Sequence, residues 1–207
     1  MYQEDFILRM ARHFAQALLR LTGLIDAGKY VEARGEIEQG YQALLGLSSS
    51  AVYYLPENEL ADIATIGNEL DVDRFGLLAR YLAAEGTLDL ASGEQEIGLN
   101  RQLKALNLLL ILTDRAPQQR ATQLELITKL HEHLAPHGLP AHTLASLGLY
   151  FERCGDLERA LSVFQAHAAQ RPGPAENNPE LQEFLKRQPH LPSPPAASGL
   201  PGDEIGE

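Results

Sequence analysis

The chain has 207 residues, a formal net charge of −11 and a single cysteine, Cys154. That length can bury a substantial core. The negative field opposes phosphate backbones and anionic lipid heads, and one thiol excludes an internal disulfide. Nucleic acid is therefore not an expected partner, and a reducing, cytoplasmic setting is the expected location.

Leu, Ala, Glu, Gln and Arg dominate the sequence, and these residues lose least on entering a helix. Alternating runs of Val, Ile, Thr and aromatic residues, the mark of strands, are missing. The first residues, MYQEDF, are acidic and carry no basic-then-apolar leader. The longest apolar run, Leu108 to Leu112, falls far short of the roughly 20 residues needed to cross a bilayer. No membrane association is expected.

Taken in order, the predicted elements are helices. Phe6, Ile7, Met10, Phe14, Ala17, Leu18, Leu21, Leu24 and Ile25 recur at steps of three and four on one face. Asp26-Ala27-Gly28 closes that helix. A second helix runs from Lys29 to about Leu45, with Tyr30, Ala33, Ile37, Tyr41, Leu44 and Leu45 inward. Gly46 and Ser48 to Ser50 interrupt it. The next begins at Pro56, a favoured first position, and carries Leu60, Ile63 and Ile66. A long helix from about Asp73 to Ala91 bears Phe75, Leu78 and Leu82, with Leu88 and Leu90 less regular.

Gly93 breaks that helix. From Glu94 to about Asp114, Leu99, Leu103, Leu106 and Leu110 form one stripe, and Leu109 and Leu112 a second. A helix apolar over most of its circumference belongs near the centre of the molecule. Pro117 opens another, with Leu124, Ile127, Leu130 and Leu134 inside, and Pro136, Gly138 and Pro140 then enforce a loop. Two short helices about Gly155 follow, spanning Leu144 to Pro172. A last one starts after Asn178-Pro179, a cap followed by Pro at the first position. From Gln188 onward Pro and Gly recur with little apolar matter, and a disordered tail is predicted.

Leu144, Leu147, Gly148, Phe151, Gly155, Ala160, Phe164 and Pro172 together resemble one tetratricopeptide repeat, with His167 at a position that prefers alanine. Gly28 to Ala33, and the set Gly86, Gly93, Gly98 and Ala105, are weaker copies. The turn glycines Gly28, Gly93 and Gly155 lie 65 and 62 residues apart, whereas a regular array repeats about every 34. Divergent helices must lie between the matching pairs. The opening residues Tyr2, Asp5, Phe6, Ile7, Arg9 and Met10 are similar to those of a small, uncharacterised bacterial family of tetratricopeptide-like proteins. The resemblance covers about residues 1–170. It implies an all-α fold of stacked antiparallel hairpins in a right-handed superhelix, about eight to ten helices in all. Residues 1–170 would form one domain, 171–187 a short C-terminal helix and 188–207 the tail.

In such proteins the first helix of each pair lines a concave groove. The matching offsets are His142, Ala145, Leu149, Glu152 and Arg153 on the last hairpin, and Arg80, Ala83, Thr87, Leu90 and Ala91 on the middle one. The lysines and asparagines that clamp a terminal carboxylate are missing from these positions, so a groove for an apolar or helical segment is expected. The alternative is that these residues pack against the chain's own extra helices. A stack without polar capping helices leaves an apolar end, which makes a homodimer an expected form.

His131, His133 and His137 do not form the zinc-protease spacing, and Pro136 interrupts the turn that would join the last two. They read as a solvated helix end. Arg9, Arg12 and Arg20 read as partners of the chain's own carboxylates. Cys154 has no recognisable base around it and reads as a small filler. No metal, cofactor or catalytic motif is expected. The first functional expectation is a non-enzymatic interaction module for a protein partner. The other is an all-helical ligand-binding or enzymatic domain whose groups converge only in space, drawn from His13, His142, Arg80, Glu85, Tyr53, Tyr54 and Tyr81.

Overall fold

A computed structural model describes residues 16–170 and 178–189. Apart from turns and one very short hairpin these residues are helical, and the protein is all-α. The chain divides after Leu139 into two compact units. Phe6, Ile7, Arg9, Met10, Arg12, His13, Phe14, Pro172 and the expected tail from residue 190 lie outside the described residues.

In the first unit, residues 16–26 form α1 and Tyr30–Leu45 form α2. Ala17, Leu21, Ala33, Ile37, Tyr41 and Leu44 turn inward at the predicted three- and four-residue steps. The serines after Gly46 were expected only to interrupt α2. They instead start a further helix, α3 (Ser49–Tyr54), whose first amides are capped by Ser48, the Oγ accepting from Ala51 N. With Val52 as its buried residue, α3 is too short to show a stripe in the sequence.

The helix expected to run through Ile66 is shorter. It ends as α4 (Glu57–Ile63). The strands β1 (Thr65–Ile66) and β2 (Glu69–Leu70) then pair antiparallel, Thr65 with Leu70 and Ile66 with Glu69. Gly67, at φ 66°, supplies the left-handed residue of the turn. The Asp71 amide returns to Ala64 O at 2.9 Å, and its carboxylate caps the next helix by accepting from Arg74 N. Ile66 therefore projects outward, 62% exposed, instead of joining a core stripe.

Helices α5 (Val72–Ala91) and α6 (Gln95–Arg115) form the centre of the unit. Phe75, Leu78, Leu82 and Leu88 are fully buried on α5, as are Leu106, Leu108, Leu109 and Leu112 on α6. The two backbones touch at a glycine pair. A Cβ on Gly86 would sit 2.8 Å from Gly98 O, and one on Gly98 would sit 2.8 Å from Gly86 O. No side chain larger than hydrogen fits either position at this separation. Helix α6 also packs against α4 and α7 (Arg120–Leu134), which explains its wide apolar circumference. A 3₁₀ turn at Pro117–Gln119 leads into α7, and another at Ala135–His137 leaves it.

In the second unit, α8 (Ala141–Arg153) and α9 (Leu157–Ala169) fold about Gly155. Leu144, Leu147, Phe151, Ala160 and Phe164 are buried. A Cβ on Gly148 would lie 2.7 Å from the Phe164 ring, so this crossing also depends on glycine. Helix α10 (Pro179–Arg187) starts on Asn178, whose Oδ1 accepts from Leu181 N at 3.0 Å. Phe184 of α10 meets Phe164 of α9 with ring centroids 5.0 Å apart.

Candidate functional site

The groove positions read from the sequence fall in separate units. On α8, His142 and Arg153 are exposed, Ala145 is half-buried and Leu149 is 38% exposed. Glu152 is held by Arg187 of α10. On α5, Arg80 donates to Gln123 Oε1 of α7 at 2.9 Å, and Ala83 is buried. Thr87 donates to Ala83 O and accepts from Gln102 Nε2 of α6, while the half-buried Leu90 fills the space beside Gly98. Ala91 is exposed at the helix end. Several of these side chains thus engage the chain's own neighbouring helices.

The main convergence of chemistry lies elsewhere, inside the first unit. Glu85 and Asp89 are one turn apart on α5, so both carboxylates leave the same face. That face meets Arg101 of α6, and all three residues are buried. Arg101 bonds Asp89 Oδ2 through Nη1 and lies 3.2 Å from Glu85 Oε1 through Nη2. Arg34 of α2 donates to Asp89 Oδ1 at 2.9 Å and to Glu94 Oε1 at 2.7 Å. Tyr41 OH donates to Glu85 Oε2 at 2.8 Å, and Ser49 Oγ donates to Glu85 Oε1 at 2.5 Å. The Tyr53 ring covers the Arg101 guanidinium at 5.2 Å. Helices α2, α3, α5 and α6 are tied together at this point.

Charge state follows from these neighbours. Burial pushes the Glu85 carboxyl above its usual range. Hydrogen bonds from Ser49 and Tyr41 and the Arg101 charge offset part of this, and Asp89 adds to it. Burial, and then Glu85, drive the Tyr41 phenol well above its usual value. Burial works against the Arg101 charge, but Glu85 and Asp89 outweigh it and keep the guanidinium protonated. All four carboxylate oxygens of Glu85 and Asp89 have donors. Within this centre, Arg101 Nε is left without a hydrogen-bond partner among the described residues. A centre so saturated ties the helices that supply its groups into one orientation.

From the sequence pool, Glu85 and Tyr53 enter this centre, while Arg80, Tyr81 and His142 do not. Asp89, Arg101, Arg34, Tyr41 and Ser49 went unrecognised. The available signal was the Glu85–Asp89 pair, one turn apart on the otherwise apolar inward face of a helix. Its meaning needed Arg101 from another helix.

Two other features are on the surface of this unit. An open cleft of about 750 Å³ is bordered by Asp62, Asn68, Glu69, Arg115 and Gln118. His133 Nδ1 lies 2.5 Å from Gln102 Oε1, and its ring centroid is 6.1 Å from that of His137. Among the described residues no group of three or more His, Cys, Asp or Glu is placed to hold a metal ion, and no helix is long and apolar enough to cross a membrane. Protein-family models, curated proteins and solved structures give no match to this chain.

Proposed function

We propose that the protein is a non-enzymatic interaction module, a set of antiparallel helical hairpins of the tetratricopeptide type that holds a protein or helical segment against a helix-lined surface. The observation that carries this reading is the repeated construction of the α5–α6 and α8–α9 pairs. Each closes on a glycine turn, at φ 90° and 79°. Each lets its helices approach through glycine, at Gly86–Gly98 and at Gly148. Such pairs bury one face and leave another for a partner. Leu149 on α8 remains 38% exposed, two turns along the same helix from the exposed His142, in keeping with an apolar segment as the ligand. The buried titratable groups are committed to one another, which also favours binding over chemistry.

Leu149→Glu provides the test, because the side chain is already solvent-facing and the substitution leaves the core intact. Wild-type and variant chains are compared by affinity capture and by light scattering across a concentration series. The reading expects a captured protein, or a second copy of the chain, that the variant loses while melting unchanged. Identical recovery by both chains, or a strict monomer that captures nothing, overturns it.

A further inference from the structure

Helix α3 is short and is held at both ends by polar contacts. It has six residues, and Val52 is its buried apolar side chain. An isolated helix of this length does not persist in water. Its remaining ties are polar and come from three other helices. At its start, Ser49 N donates to Glu38 Oε2 of α2 at 2.8 Å. At its end, Lys104 Nζ of α6 donates to Tyr53 O at 2.6 Å and also to Leu55 O. A carboxylate therefore sits at the positive end of the helix and an ammonium at the negative end. Between them Ser49 Oγ reaches Glu85 of α5, and the Tyr53 ring lies over Arg101.

We infer that α3 is a strap, fastened at its two ends by Glu38 and Lys104, that lifts from the first unit as a local event and uncovers the Glu85–Arg101 centre. The geometry separates it from the core. The α5–α6 pair is joined by extensive apolar packing and a glycine crossing, whereas α3 has one fully buried apolar anchor, Val52, and is otherwise joined by a few polar and charged contacts that can be released together. Burial lowers the Lys104 ammonium from its ordinary value, with Glu57 opposing the effect, so the fastening at this end is held at a cost. When the strap lifts, Ser49 and Tyr53 withdraw. Glu85 then loses one donor, and Arg101 loses its aromatic cover. This inference goes beyond the interaction reading and does not depend on it.

Hydrogen exchange on the intact chain tests it. The reporters are the amides of Val52 and Leu55, bonded to Ser48 O and Ala51 O. Leu82 and Leu88 of α5 report on the core. Lys104→Met should speed exchange at Val52 and Leu55 about tenfold and leave Leu82 and Leu88 unchanged. Parallel acceleration of all four amides, or no change at Val52 and Leu55, overturns the strap. Glu38→Gln serves as a milder variant with the same expected ordering should Lys104→Met fail to fold. As an independent readout, Val52→Cys in a Cys154→Ser background should react with a thiol reagent faster than the chain unfolds globally. A labelling rate equal to the global unfolding rate overturns the inference.

Discussion

Arg187 of α10 grips Glu152 of α8 through two parallel hydrogen bonds, Nε to Oε1 at 2.8 Å and Nη2 to Oε2 at 2.7 Å. The fork geometry of guanidinium against carboxylate makes this a directed contact. It also puts one expected groove residue in the hands of the chain's own last helix. Together with Phe184 on Phe164 it fastens α10 to the α8–α9 hairpin.

That contact makes the second unit acid-sensitive. The hydrogen bonds from Arg187 hold the Glu152 carboxyl below its usual range, against the opposing effect of burial. A folded-state value below the unfolded one adds stability above the ordinary carboxylate range, and that stability is lost as pH falls through the lowered value. Arg187 is 39% exposed, so solvent screens the pair and its contribution is about 1 kcal/mol or less. Arg187→Ala should weaken the acid dependence of the unit's melting. Identical acid profiles for both chains would refute this.

Gly148→Leu should destabilise the α8–α9 hairpin by about 1–3 kcal/mol, because its Cβ alone would press on the Phe164 ring. Chemical denaturation followed by circular dichroism measures it. An unchanged midpoint would mean that Phe164 can move aside freely.

Removing the cation from the buried centre should be severe. Arg101→Met leaves Glu85 and Asp89 facing each other with Arg34 as the nearest remaining guanidinium, and about 3–5 kcal/mol of stability should be lost. Thermal melting of the purified variant decides the matter. A loss below about 1 kcal/mol would place the charges in better contact with water than their burial implies.

Glu85 behaves oppositely to Glu152. Burial raises its carboxyl above the ordinary value, so the folded chain holds this proton more tightly than the unfolded chain does. Its contribution is fully present below the ordinary carboxylate value and is lost as pH rises through the raised one. Glu85→Gln removes this titration. The stability of the first unit should then depend less on pH across the window that opens at the ordinary carboxylate value and extends upward. A pH profile identical to the wild type, measured by denaturant midpoints, would contradict the assignment.

The longer helices and the close approach at Gly148 were legible in the linear chain, for a local reason, whereas the Gly86–Gly98 contact was legible only as two small residues in a weak repeat copy. Periodic apolar residues report burial within one helix, and a small residue among them reports an approach at that point. Leu144, Gly148 and Phe164 carry that information themselves. Two local elements were not legible. Helix α3 fully buries only Val52, and the Thr65–Leu70 hairpin is too short for alternation to register. The pairing of Glu85 and Asp89 with Arg101, Arg34 and Tyr41 was decided by tertiary structure alone. Those groups come from three helices, and a buried charge is tolerable only beside its counter-charge. No single helix's sequence states which neighbour supplies it.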